Sequence, residues 1–230
     1  MPDTPERPTA VLDVDGTLVD TNYQHAVAWY RAFRGVGRTL PVWQLHRHIG
    51  MGGDRLVPAV AGEDFERAFG DEVREAWVGE FDALIDEVRP FEGVDRLLGG
   101  LRERGFQVVL ATSGKPKHVD VFRDLLDARD LPYTTSEDVE DTKPAPDLMQ
   151  VALDKVGATD AVALGDSVWD FHAARKLGLG TVGLLTGGFG EAELRDAGAE
   201  VVFPSVLDLA DNLDVSPFSR TGPDPSTARP

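Results

Sequence analysis

Five short stretches of the chain are almost continuously apolar: Thr9 to Val14, Phe106 to Ala111, Ala161 to Leu164, Thr181 to Leu185 and Glu200 to Phe203. Short apolar runs without polar alternation are what strands covered on both faces require. Between the later runs lie segments with apolar positions every three or four residues, near Val94 to Arg104, Lys117 to Ala128, Asp147 to Val156, Trp169 to Leu177 and Glu191 to Ala197. That period predicts helices. Strand alternating with helix predicts an α/β core: a Rossmann-like, three-layer parallel sheet with right-handed crossovers. Pro132 to Thr135 is a further short strand candidate.

The interval between the first and second runs has no strand pattern. Phe65, Phe69, Val73 and Trp77 are spaced by four, and Phe81, Leu84, Ile85 and Val88 continue the apolar side. Acidic residues fill the rest, which predicts an amphipathic helix. Tyr23 to Phe33 predicts another, with Trp29 and Trp43 expected in the core of the insert. The chain therefore divides into a core domain, 9–20 and 90–213, and an inserted all-helical cap, 21–89. Residues 1–8 are polar and Pro-rich, and residues 216–230 are rich in Pro, Ser, Thr and Gly, with a lone Phe218. Such tails are expected to be disordered.

Composition narrows the function classes. Net charge is -17, which repels nucleic acid and anionic membranes. No apolar run approaches the ~18 residues that a membrane-spanning helix needs. The polar, Pro-rich start lacks a secretory pattern, and there is no cysteine, so disulfides, thiolate metal sites and cysteine nucleophiles are excluded. A cytoplasmic protein is expected, monomer or homodimer, with neither nucleic acid nor membrane as partner.

Ligands of open α/β sheets bind beyond the carboxyl ends of the strands, so the residues that follow each strand carry the candidate chemistry. The first run leads into Asp13-Val14-Asp15-Gly16-Thr17-Leu18-Val19-Asp20. Side chains two apart in extended chain share a face, so Asp13 and Asp15 stand together, and Gly16 lets the chain turn at once. Carboxylates that close repel unless a cation or shared proton intervenes. The second run ends in Thr112-Ser113-Gly114-Lys115, a hydroxyl and flexible backbone before a helix, which suits an anion. Lys143 sits in Asp141-Thr142-Lys143-Pro144-Ala145-Pro146, where Pro144 restricts it to extended geometry. The third run ends in Gly165-Asp166-Ser167-Val168-Trp169-Asp170. Carboxylate oxygens suit Mg²⁺, and the lysine and hydroxyl suit a phosphoryl group.

With these four strand ends in order, the chain resembles the haloacid dehalogenase superfamily, in its phosphatase branch with a helical cap. It is similar to phosphoglycolate phosphatases and β-phosphoglucomutase-like proteins over about residues 9 to 213. The resemblance implies that Asp13 is a nucleophile and Asp15 a general acid and base. It implies that Thr112, with the N–H groups of Ser113 and Gly114, binds the phosphoryl oxygens, and that Lys143 stabilises the transferring group. Mg²⁺ would be held by Asp13, the Asp15 carbonyl and Asp166, with Asp170 behind them and Ser167 orienting Asp166. The expected activity is Mg²⁺-dependent hydrolysis of a small phosphorylated metabolite through an aspartyl-phosphate.

True dehalogenases of that superfamily lack an acid where Asp15 stands. A phosphonate hydrolase would use a cap lysine, and the insert has none. His25 falls where β-phosphoglucomutases carry a gating histidine, so a phosphosugar mutase is an alternative, as is a non-catalytic phosphate-ligand-binding protein. Gly53 stands where a mutase would place a phosphate-binding arginine. Tyr23, His25, Arg47, His48 and Arg55 are the cap residues expected at the substrate, with Arg47, His48 and Arg55, the three nearest Gly50, offering charge or donors to a second anionic group.

Overall fold

The computed structural model describes residues 7–219. Strand β1 (Thr9–Leu12) leads through the Asp13 turn into β2 (Val19–Asp20). Four helices follow: α1 (Asn22–Gly35), α2 (Val42–His46), α3 (Gly53–Ala61) and α4 (Glu63–Asp82). The chain returns through β3 (Arg89–Pro90), which pairs antiparallel with β2. Then come α5 (Val94–Glu103), β4 (Gln107–Ala111), α6 (Pro116–Leu125), β5 (Tyr133–Thr134) and α7 (Asp147–Val156). The chain goes on through β6 (Val162–Gly165), α8 (Val168–Leu177), β7 (Gly180–Leu184), α9 (Glu191–Ala197), β8 (Val201–Phe203) and α10 (Val206–Asp211).

Six strands form a parallel sheet in the order β5-β4-β1-β6-β7-β8. The alternation of strand side chains splits the core in two. Ala10 and Leu12 pack with Leu97, Leu101 and Phe122 on one face. Val11, Val109 and Ala163 pack with Met149, Ala152 and Ala173 on the other. Both faces are covered, which is why the strand sequences show no polar alternation. Sheet and helices make the α/β, Rossmann-like core expected from the sequence. None of the helices among the described residues is long and apolar enough to cross a membrane.

The helical insert packs around aromatic side chains. Trp29 stacks on Trp77 at 5.0 Å, and Phe33 meets Phe65 at 5.6 Å. Two expectations fail here. Trp43 is 70% exposed on the short helix α2 and joins no core. The stretch assigned to the C-terminal tail is packed at its start: Ser216 and Phe218 are buried, and Phe218 meets Phe106 edge-on at 5.6 Å. The large apolar ring has found a slot beside Leu213 in the main core, and that burial outweighs the polar composition around it. Residues 1–6 and 220–230, the rest of the expected tails, lie outside the described residues, whereas the Pro8 carbonyl accepts from the Gln107 N–H.

Candidate active site

The loop after β1 is held by its own backbone. The Val14 carbonyl accepts N–H bonds from Thr17, Leu18 and Val19, and the Asp13 N–H donates to the Leu164 carbonyl of β6 at 3.0 Å. Gly16, at φ +78°, supplies a turn that other residues resist. A Cβ there would fall 2.3 Å from Asp166 Oδ2. This brings the ends of β1 and β6 together at one point.

Asp13 and Lys143 form the centre. Lys143 is 0% exposed, and its Nζ lies 2.5 Å from Asp13 Oδ1 and 2.7 Å from Asp170 Oδ1. The Thr17 hydroxyl bridges Asp13 Oδ2 (3.1 Å) and Asp166 Oδ1 (2.7 Å). Asn22, the first residue of α1, donates from Nδ2 to Asp166 Oδ2 at 3.0 Å. Asp170 Oδ2 accepts from the backbone (3.1 Å) and hydroxyl (2.6 Å) of Ser167, closing the first turn of α8. Ser167 therefore orients Asp170, not Asp166 as expected: a helix start brings the residue three positions on within reach of the cap.

The electrostatics follow from burial. Burial pushes the Asp13 carboxyl well above its ordinary range, Lys143 opposes this, and Asp170, Asp166 and Asp15 add repulsion. Burial and Asp170 push Asp166 up to about 7, against the bonds from Asn22 and Thr17. Burial would lower the Lys143 ammonium, but Asp13 and Asp170 hold it well above its usual value. Oxygens of Asp13, Asp166 and Asp170 all lie within 4.8 Å of one another. Three buried carboxylates around one ammonium leave negative charge uncompensated in a dry site, which is costly without a further cation. All-oxygen donors suit a hard divalent ion. A Cβ at Gly187 would come 2.3 Å from Asp166 Oδ2, as one at Gly16 would, so two glycines keep room at that carboxylate. The residues present fit a metal ion.

Asp15 is set apart. Its Oδ1 meets His25 Nε2 at 2.8 Å and accepts from Thr21 Oγ1 at 3.1 Å, and its Oδ2 accepts from Thr112 Oγ1 at 2.8 Å. Burial alone would raise this carboxyl; the bonds from His25, Thr112 and Thr21 outweigh it and hold the carboxyl below its ordinary value. The neighbouring carboxyls of Asp13 and Asp15 are thus pushed in opposite directions, an arrangement typical of sites that divide two roles between like residues. In this structure the Thr112 hydroxyl is given to Asp15 and the Gly114 N–H to Thr112 (2.9 Å), while Ser113 donates to the Gly50 carbonyl at 3.3 Å.

A cavity of about 270 Å³ opens over Asp13, Asp15 and Thr112, closed from the insert side by Trp29, Trp77, Ile49, Met51 and Arg74. It is close to the lower limit of roughly 300 Å³ for small-molecule sites. His25 lines it, stacked on Phe81 at 4.0 Å and 8°. Arg47 and Arg55 do not. Arg47 pairs with Glu193 at 2.5 Å and lies over Phe189, and Arg55 pairs with Asp141 and faces Asp54 at 3.6 Å. Both are drawn outward to carboxylates, so the expectation that they line the substrate cavity is corrected. Tyr23 stacks on His46 and His48 on Trp169, also away from the cavity wall.

Several site residues escape sequence reasoning. Thr17 has a signal, since it follows the Asp-x-Asp-Gly turn directly. Asn22 and Gly187 have none, because their relation to Asp166 spans 144 and 21 positions that only the fold closes. Arg74 sits amid acidic neighbours on α4 and reads as a solvated charge.

Residues 8–213 match the family model of haloacid dehalogenase-like hydrolases. Phosphoglycolate phosphatase of Caulobacter vibrioides is 32% identical, over 87% of this chain and 88% of that protein. A hydrolase from Pseudomonas syringae superposes with a TM-score of 0.86 at 32% identity, covering 91% of this chain and 99% of the other. The β-phosphoglucomutase of Clostridium difficile shares the fold, with a TM-score of 0.76 at 18% identity, over 88% and 93% of the two chains.

Proposed function

The chain belongs to the haloacid dehalogenase-like hydrolases, and on that footing we propose that it is a Mg²⁺-dependent phosphatase acting on a small phosphomonoester through an aspartyl-phosphate. The observation that carries this reading is the buried Asp13–Lys143 pair at 2.5 Å, beside a second carboxyl, Asp15, held by His25 and Thr112 at the floor of one cavity.

In this reading an Asp13 oxygen attacks phosphorus and the bond from phosphorus to the ester oxygen breaks. The leaving oxygen takes a proton from Asp15, whose contact with His25 lets the two groups carry that proton between them. Asp15 then accepts a proton from water, the water oxygen attacks phosphorus, and the bond from phosphorus to Asp13 breaks, releasing phosphate. Lys143 orients Asp13 and offsets charge on the transferring group, and Thr112, freed from Asp15, donates to a phosphoryl oxygen, with the Ser113 and Gly114 N–H groups beside it. Asp13, the Asp15 carbonyl and Asp166 would hold Mg²⁺, with Asp170 fixing Lys143 behind them. The ion, when bound, neutralises phosphoryl oxygens and lowers the barrier to anionic attack. The helical insert, 21–89, acts as the cap that covers the leaving group.

The test is phosphate release from small phosphate esters with Mg²⁺ and with EDTA, beside Asp13→Asn. Release that needs Mg²⁺ and vanishes in the variant supports the reading. Interconversion of phosphosugars without net phosphate would favour a mutase, the reading that the His25–Asp15 contact would also serve. Phosphate release at an undiminished rate in Asp13→Asn would sink the nucleophile assignment.

A further inference from the structure

Above the reacting groups, the cavity wall has a one-sided hydrogen-bonding character. Its hydroxyls are already donating inside the protein: Ser113 to the Gly50 carbonyl at 3.3 Å, Ser136 to the Gly114 carbonyl at 3.1 Å, and Thr142 to Asp54 Oδ1 at 2.6 Å. Among the described residues, the insert contributes two basic side chains to the lining, His25, which is held on Asp15 at 2.8 Å, and Arg74. Its guanidinium gives two bonds to Glu66, at 2.9 and 2.8 Å, one to Asp71 at 2.8 Å and one to the Gly53 carbonyl at 3.3 Å. Two carboxylates on one guanidinium leave no net positive charge to offer a ligand. Lys115, on the core side, stands 3.9 Å from Glu137. Asp54 and Glu140 add carboxylates to the wall, and Trp29, Trp77, Ile49 and Met51 supply its apolar part.

The wall therefore presents carboxylates and aromatic side chains, with Arg74 and Lys115 each set against carboxylates of the protein, while Lys143 stands beside Asp13 at the floor. A carboxylate or second phosphate on the leaving group would meet carboxylates in a partly desolvated space, where like charges repel strongly. A hydroxyl or ammonium would find partners.

We propose that the leaving group of the substrate is uncharged or cationic and carries hydroxyl or ammonium donors, as a polyol or amino alcohol does, and that a second anion on it is rejected. This rests on the phosphatase reading above.

The decisive comparison holds the carbon skeleton constant and changes only the distal charge: 2-hydroxyethyl phosphate, O-phosphoethanolamine and phosphoglycolate. The readout is kcat/KM for phosphate release by the full chain with Mg²⁺. The neutral and cationic esters should exceed phosphoglycolate at least tenfold. In Glu66→Gln, which leaves Arg74 with one carboxylate fewer, the ratio should move toward phosphoglycolate several-fold. Release led by phosphoglycolate overturns this inference and leaves the phosphatase reading standing. A charge preference that Glu66→Gln does not move overturns its assignment to this wall. No release from any of the three, nor from an aryl phosphate, overturns the phosphatase reading and this inference with it.

Discussion

Lys143→Met tests the electrostatic balance of the site most directly. Methionine keeps much of the volume of lysine and removes the ammonium that lies 2.5 Å from Asp13 and 2.7 Å from Asp170. Breaking a buried ion pair by removing one partner costs about 3–5 kcal/mol. In a chain of this size each kcal/mol moves Tm by roughly 2–4 °C, so the loss is about 6–20 °C. The deficit has a pH signature that a packing defect lacks. Burial raises the folded-state pKa of Asp13 and brings that of Asp166 to about 7, and loss of Lys143 raises them further. A raised carboxyl pKa weakens the fold only where the unfolded chain is ionised, above about pH 4. The deficit is therefore largest near pH 8 and shrinks as pH falls toward 4. A bound cation should repair it: Mg²⁺ at 100 times its Kd returns about 2.7 kcal/mol. The assay is thermal unfolding by circular dichroism at pH 8 and pH 5 in EDTA, then with Mg²⁺ added. Tm within about 2 °C of wild type at pH 8 in EDTA, or a loss equal at both pH values, would refute the account.

Three further outcomes follow from the same contacts. Phe218→Ala should cost about 3–5 kcal/mol by opening a cavity beside Phe106, with kcat at 25 °C little changed, and stopping the chain after Val215 should do the same; an unaltered Tm would mean that the segment does not pack. Asp13→Asn should lower turnover about 10³-fold or more while Tm in EDTA stays the same or rises, since it removes one of three crowded buried carboxyls; a lower Tm would contradict the repulsion inferred here. Gly187→Ala should weaken Mg²⁺ binding about 10- to 100-fold, because its Cβ would press on Asp166; calorimetric titration with an unchanged Kd would show that this approach does not shape the site.

The strand ends were readable from sequence because two independent periodicities meet there. A short apolar run fixes where a buried strand stops, and whatever polar residue comes next is placed at the ligand-binding edge of the sheet. That is how Asp13, Thr112 and Asp166, scattered over 154 positions, converge in the structure, whereas Lys143 reaches Asp13 from the loop nine residues beyond β5 and was readable only from its Pro-flanked turn. The insert offered no such rule. A helix period tells which side is apolar, but not which polar neighbour a long side chain will reach across the fold. Arg47 found Glu193, 146 residues away, and Arg55 found Asp141, 86 away. Phe218 was opaque for a different reason: one apolar residue has no period, so only its slot beside Phe106 distinguishes it from a solvated tail residue. The chain's charge deepens the first difficulty. With 40 acidic residues against 23 Lys and Arg, an arginine on the surface or the insert meets a carboxylate of the protein more readily than one of a ligand, as Arg47, Arg55 and Arg74 all do. A cation stays available for chemistry only where packing confines it to the reacting groups themselves, and Lys143, fully buried between Asp13 and Asp170, is confined in that way.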